Sequence, residues 1–97
     1  MQSNQPKADF YIFGSALTDS EPNDIDVLAV YTRENCAPEA AFDRFNMFLS
    51  SLPMFVGKKL HLTPLTQYEE REFDFIRRAR AVRLCIEASK LNGQAIH

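Results

Sequence analysis

This chain lacks several features that mark large classes of proteins. It has only two cysteines among 97 residues, Cys36 and Cys85, and they are isolated rather than set at metal-ligand spacing. Its longest apolar runs fall far short of the roughly 20 residues that a membrane span needs. No internal repeat or low-complexity segment occurs. A metal-ligand cysteine motif, a transmembrane helix and a repeat architecture are therefore not predicted.

A strong charge of either sign is also missing. The net charge is −2, so no global basic field attracts nucleic acid, and any contact with a polyanion would have to be local. No signal peptide is recognisable at the start. We therefore expect a cytoplasmic protein whose thiols are reduced, with no membrane attachment and with nucleic acid as a disfavoured partner.

Hydrophobic residues, by contrast, are plentiful. They make up 45% of the chain and include eight phenylalanines, enough for a core without disulfides or structural metals. We predict a single domain over residues 1–97, with flexible polar segments at residues 1–7 and 92–97. The oligomeric state is left open by this composition.

The hydrophobic pattern predicts three strands and two helices. Residues 10–13 form an aromatic strand buried on both faces, residues 25–31 are rich in β-branched side chains, and residues 58–63 alternate until Pro64 stops them. Between these last two strands an amphipathic helix begins at Pro38, carries the apolar stripe Phe42, Phe45, Leu49 and Leu52, and is closed by Pro53.

A second helix begins after a capping box formed by Thr66 and Glu69 and continues to about residue 80. Residues 82–86 fit either the same helix or a fourth strand, and we slightly favour the strand. The resulting order is β, β, α, β, α, β. It predicts an α/β (α+β) sandwich, with a small mixed sheet and helices packed on one face.

The residues with the clearest chemistry lie between the first two strands. Gly14 and Ser15 follow the first apolar run; residues 16–23 are rich in turn formers and predict a loop, with one helical turn at its start. Glycine lets a phosphate approach the main chain closely. Asp24 and Asp26 then open the second strand at positions i and i+2, so their carboxylates project from one face. Two carboxylates on one face suit Mg²⁺, whose other positions are filled by water and phosphates.

Residues 13–30 resemble the signature of minimal nucleotidyltransferases in the superfamily of DNA polymerase beta. The matching features are an apolar residue, Gly14-Ser15, a spacer and Asp24-Ile25-Asp26. The resemblance implies Mg²⁺-dependent transfer of a nucleoside monophosphate from a nucleoside triphosphate (NTP) to a hydroxyl, with Mn²⁺ as an alternative ion. It also implies that Asp24 and Asp26 hold the metal, that Gly14 and Ser15 hold the triphosphate, and that a small RNase toxin is a possible protein partner.

The chain departs from this family at its third carboxylate. Family members carry it on the next strand, yet no Asp or Glu occurs between Asp43 and Glu69, and His61 occupies the corresponding place. His61 either faces the site as a replacement base or is a polar strand residue beside a site with weakened catalysis; a misplaced alignment is the third alternative. The spacer of eight residues is slightly short and lacks the family's arginine, and few residues precede the first strand.

Two function hypotheses follow. The first is an active nucleotidyltransferase that modifies a protein or small-molecule hydroxyl, and the second is a degenerate domain that acts as a binding or inhibitory module. Lys58, Lys59 and the arginines near the C-terminus, Arg71 among them, either clamp phosphates or an RNA acceptor or form a solvated face, which we favour. Tyr68 either stacks on a base or packs at the start of its helix, and packing is the favoured interpretation.

Overall fold

The structure is a computed structural model that describes residues 6–85. Its elements in chain order are β1 (Asp9–Phe13), a 3-10 turn (Gly14–Leu17), β2 (Asp24–Tyr31), α1 (Pro38–Ser50), a second 3-10 turn (Pro53–Phe55), β3 (Lys59–Thr66), α2 (Gln67–Phe73), α3 (Phe75–Ala79) and β4 (Val82–Leu84). The strands form one sheet of order β3-β2-β1-β4. Because β2 is antiparallel to β1 and parallel to β3, the sheet is mixed, and the predicted fold class is confirmed.

The core lies between the sheet and α1. Ala41, Phe45 and Leu49 on α1 are fully buried against the face of the sheet that carries Phe10 and Val27. The Phe10 ring meets that of Phe45 edge to face, with 5.8 Å between centroids. The prediction that Phe42 belongs to the buried stripe was wrong: its side chain is 47% exposed. Residues at steps of four from Ala41 define the buried stripe, and Phe42 lies a further 100° or so around the helix.

Full burial along β1 is confined to one residue. Phe10 is buried, whereas Tyr11, Ile12 and Phe13 are half-buried, so the prediction of a strand buried on both faces was wrong. Successive strand residues point to opposite faces. Phe13 therefore lies on the face away from α1, where its ring meets Phe75 of α3 edge to face at 4.9 Å. The α1 helix covers one face as predicted, and α3 adds a contact on the other.

Strand β3 does not stop at Pro64 but continues to Thr66, which corrects the predicted end at residue 63. The physical reason is the position of β3 at the edge of the sheet. Lys59 donates its N–H inward to the Asn23 carbonyl at 2.8 Å, so by alternation Pro64 has its nitrogen on the open side. A proline there removes no hydrogen bond from the ladder with β2.

The predicted second helix is broken into two. Asp74 adopts left-handed angles (φ 54°, ψ 42°) between α2 and α3, a conformation that Asp and Asn tolerate better than most residues. The Ile76 N–H, which lies just after the break, donates instead to the Glu70 carboxylate at 2.8 Å. At the other end of α2 the predicted capping box is confirmed, because Thr66 and Glu69 exchange side-chain and main-chain hydrogen bonds.

The remaining predictions concern the two ends of the chain. Pro6 is buried, although residues 1–7 were expected to be flexible. The favoured strand near residue 82 is confirmed as Val82–Leu84, while Ile86 and the tail 92–97 lie outside the described residues. None of the helices within residues 6–85 has the length and apolar character required to cross a membrane.

Candidate functional site

The candidate site lies at the end of the sheet where β1 stops and β2 begins. Phe13, the last residue of β1, is paired with Asp26, the third residue of β2. Gly14 therefore leaves the sheet beside the two aspartates rather than at a distance from them. Gly14 and Ser15, which follow β1, and the two aspartates, which open β2, therefore lie at the same end of the sheet.

The main chain at Gly14 lies against the Asp26 carboxylate, so a side chain at position 14 would displace it. Its φ is +78°, a left-handed conformation that L side chains rarely adopt. A Cβ placed on Gly14 would come closer than 3.0 Å to Asp26 Oδ2 and would lie 3.4 Å from Asp26 Cγ. The absent side chain thus leaves the space that the Asp26 carboxylate occupies, and the positive φ independently favours glycine.

The two aspartates differ in their surroundings. Asp24 is the first residue of β2 and its side chain is 60% exposed, whereas Asp26 is half-buried beside Gly14. Because they are two apart on a strand, both carboxylates lie on the face away from α1. They are available to a ligand that approaches from the open end of the sheet.

His61 joins this group through the parallel pairing of β3 with β2. It is the register partner of Asp26, and its Nε2 atom lies 4.0 Å from Asp24 Oδ2. The imidazole is 48% exposed and carries a charge only when protonated. The structure therefore brings His61 to the two aspartates.

Ser15 lies in the 3-10 turn that follows Gly14, and it is exposed. Its carbonyl accepts hydrogen bonds from the main-chain N–H groups of Thr18 at 3.1 Å and Asp19 at 2.9 Å. Asp19 in turn accepts a bond from the Glu21 N–H at 3.1 Å. These local bonds order the first part of the loop, while the Ser15 hydroxyl has no hydrogen-bond partner among residues 6–85.

Lys59, for which the sequence left open a phosphate clamp and a solvated position, is a further neighbour of the site. It is exposed and pairs with Asp24 in the register of β2 and β3, two residues before His61. It therefore lies on the same face as both aspartates. The available sequence signal was the matching alternation, because Lys59 and His61 are spaced like Asp24 and Asp26.

Asp24 and Asp26 supply carboxylate oxygens, the ligands that Mg²⁺ prefers, but they are only two carboxylates. Two carboxylates on one face are enough when substrate phosphates and water complete the coordination. Within the described part of the chain, however, no three His, Cys, Asp or Glu side chains form a group that could hold a metal. Asp24 and Asp26 thus fit an ion shared with a phosphate ligand rather than one held by protein alone.

Comparison with known proteins identifies no relative. No protein-family model matches the chain, and searches of curated proteins and of solved structures find no match either. The resemblance to minimal nucleotidyltransferases therefore stays a prediction that rests on the residues of the site.

Proposed function

We propose that this chain is a nucleotidyltransferase-like domain that binds an NTP with Mg²⁺ and transfers a nucleoside monophosphate to a hydroxyl of a protein or small molecule. The observation that carries the proposal is the close approach of Gly14 to the Asp26 carboxylate. Asp26 is half-buried in β2, with its carboxylate against the main chain of Gly14. Burial of a carboxylate is costly unless a metal ion or hydrogen-bond donors interact with it.

In this proposal Asp24 and Asp26 hold Mg²⁺, with Mn²⁺ as an alternative, and Gly14 and Ser15 hold the triphosphate. The ion, when bound, supplies positive charge to the phosphate oxygens. Asp24 is exposed enough to reach a ligand without rearrangement of the strand. His61 is the candidate base, because its Nε2 atom is close to Asp24 and open to solvent.

A titration with ATP and Mg²⁺, followed through backbone amide shifts, tests the binding claim. We expect the largest shifts at Gly14, Ser15, Asp24 and Asp26, and about tenfold or greater weakening in Asp24→Asn. Asp43→Asn, on the exposed side of α1, removes one negative charge elsewhere and serves as the control. No response at millimolar nucleotide, or equal weakening in both variants, would show that the site does not bind NTP.

A second candidate function is a non-catalytic interaction module that has kept this fold. His61 in place of a third carboxylate supports it, and so does the exposed apolar surface of α1, where Met47 is 74% and Phe42 is 47% exposed. A toxin-like protein is the proposed partner, and the cytoplasm is the proposed location. The free thiols of Cys36, which is buried, and Cys85, which is exposed, support a reducing compartment.

Incubation with radiolabelled NTP and candidate acceptors separates these two functions. Label transfer that is lost in Asp24→Asn and in Asp26→Asn supports the enzyme. Partner binding that is unchanged by both substitutions, without label transfer, supports the module. Thermal melting of each variant shows whether the fold survives the change, so that a lost activity is not confused with a lost structure.

A further inference from the structure

A second polar site lies at the opposite end of the sheet. A cleft of about 260 Å³, which we call the distal cleft, is bounded by the segment after β2 and by the start of α2. The side chains that matter here are those of Arg33, Glu34, Gln67, Tyr68 and Arg71. A larger cavity of about 470 Å³ adjoins it, since Thr32 and Gln67 line both.

The distal cleft is separate from the Gly14–Asp26 site. Asp24 begins β2 and Tyr31 ends it, and a strand rises by roughly 3.3 Å per residue, so about 23 Å lie between the two ends. A small ligand in the distal cleft therefore cannot touch Asp24 or Asp26. Any binding there is a property distinct from the proposed nucleotidyl transfer.

Positive charge in the distal cleft is left without a partner. Neither Arg33 nor Arg71 forms a salt bridge with any carboxylate of residues 6–85. Glu34 is the one carboxylate that lines the distal cleft among the described residues. Glu69 borders the cleft through the lining residue Thr66: its Oε1 atom accepts the Thr66 N–H at 2.9 Å. Because neither guanidinium group is paired with Glu34 or Glu69, both arginines are available to an anionic ligand.

An exposed aromatic ring accompanies these charges. Tyr68 is 68% exposed, so it is not the packing residue that the sequence suggested. It precedes Arg71 by three positions on α2, which places the two side chains on the same side of the helix. An aromatic ring beside arginine is the combination on which nucleic-acid bases stack while their phosphates are paired.

We propose that the distal cleft binds a nucleoside monophosphate, either as the free nucleotide or as the 5′-phosphorylated end of an RNA strand. The base stacks on Tyr68, and the phosphate lies between Arg33 and Arg71. Since the metal-binding carboxylates of the other site are about 23 Å away, binding at the distal cleft needs no divalent ion.

A titration with AMP in excess EDTA, monitored by amide shifts and calorimetry, tests this proposal. We expect shifts at Arg33, Tyr68 and Arg71, and about tenfold weaker binding in Arg71→Gln. Tyr68→Leu should weaken binding, whereas Tyr68→Phe should retain it because the ring is kept. Arg80→Gln, an exposed arginine outside the cleft lining, is the matched control for net charge.

The ligand arms identify what is recognised. Adenosine and inorganic phosphate should each bind more weakly than AMP, because each lacks one of the two recognised groups. A 5′-phosphorylated ribotetranucleotide that binds more tightly than AMP identifies an RNA end as the ligand, and equal affinity identifies the free nucleotide.

Three outcomes would overturn the proposal. They are no shift in the distal cleft at millimolar AMP, equal weakening in Arg80→Gln and Arg71→Gln, and AMP binding that requires Mg²⁺ or is lost in Asp24→Asn. The last would place AMP at the Gly14–Asp26 site and leave the proposed NTP binding intact. Failure of NTP binding, conversely, would not alter AMP binding in EDTA, so the two proposals fail independently.

Discussion

Gly14→Ala is the substitution whose consequence the structure defines most sharply. Alanine at this position meets two separate costs. The first is the left-handed backbone at φ +78°, which costs an L residue roughly 1–2 kcal/mol. The second is the overlap of its Cβ with Asp26 Oδ2, which must be relieved by turning the carboxylate away. Turning that side chain off its preferred rotamer costs about 0.5–1.5 kcal/mol.

Gly57→Ala is the matched control for the backbone cost. Gly57 has almost the same angle, φ +80°, yet a Cβ there would meet nothing within 4 Å. Both substitutions also restrict the unfolded chain equally, by about 0.4–1 kcal/mol. The difference between the two variants therefore isolates the steric cost, and we expect Gly14→Ala to lose about 0.5–1.5 kcal/mol more than Gly57→Ala.

Urea unfolding followed by circular dichroism measures both losses, since a small domain with a stability of about 5–15 kcal/mol tolerates either change. Asp26→Ala, combined with Gly14→Ala, completes a double-mutant cycle. If the contact is real, the extra cost of Gly14→Ala disappears when the carboxylate is absent. Equal losses for Gly14→Ala and Gly57→Ala, with no coupling to residue 26, would refute the close approach on which the candidate site depends.

Three further predictions concern the core, the capping box and alkaline stability. Phe45→Ala should destabilise the protein by about 3–5 kcal/mol in urea unfolding, because Phe45 is fully buried. Phe42→Ala, at a position 47% exposed, should cost far less. Similar losses of stability in the two variants would contradict the assigned core. Thr66→Ala should cost about 1 kcal/mol through loss of the capping box, and Thr66→Ser should restore most of it. Burial, reinforced by the Glu69 carboxylate, raises the pKa of Tyr31. The neutral phenol therefore stabilises the fold fully below about pH 10, the pKa of a tyrosine in the unfolded chain, and this stabilisation is lost as the pH rises through the raised pKa. Melting curves between pH 9 and 12 should therefore show a smaller alkaline loss in Tyr31→Phe than in the parent, and an unchanged loss would argue against this cause.

Local signals predicted those parts of the fold that depend on neighbours in the chain. The β-branched run that became β2, the proline at the start of α1 and the Thr66 capping box are signals that span only a few residues, so the sequence shows them directly. The errors arose where a distant element intervened. Pro64 is tolerated in β3 because no strand of residues 6–85 lies on its open side. A proline fits an edge strand as well as the end of a strand, and only the pairing of the sheet decides between them.

The break at Asp74 was missed for a related reason. The apolar spacing continues through residues 73–79, so periodicity alone predicts one helix. The interruption depends on a side chain, Glu70, that accepts the Ile76 N–H in place of the main-chain carbonyl used in an unbroken helix. Whether the Glu70 carboxylate reaches the Ile76 N–H depends on the folded structure, so the sequence pattern does not show this hydrogen bond.

The candidate site divides in the same way. The sequence by itself indicated that the Gly-Ser turn lies at the same end of the sheet as Asp24 and Asp26, because the turn follows β1 and the aspartates open β2. Strand alternation also places both carboxylates on one face. Only the tertiary structure decided that His61 lies beside Asp24, that Lys59 joins them, and that the Asp26 carboxylate occupies the space a side chain on Gly14 would fill. These contacts depend on the register between β2 and strands far apart in the chain, and register is set by how the whole sheet packs on α1.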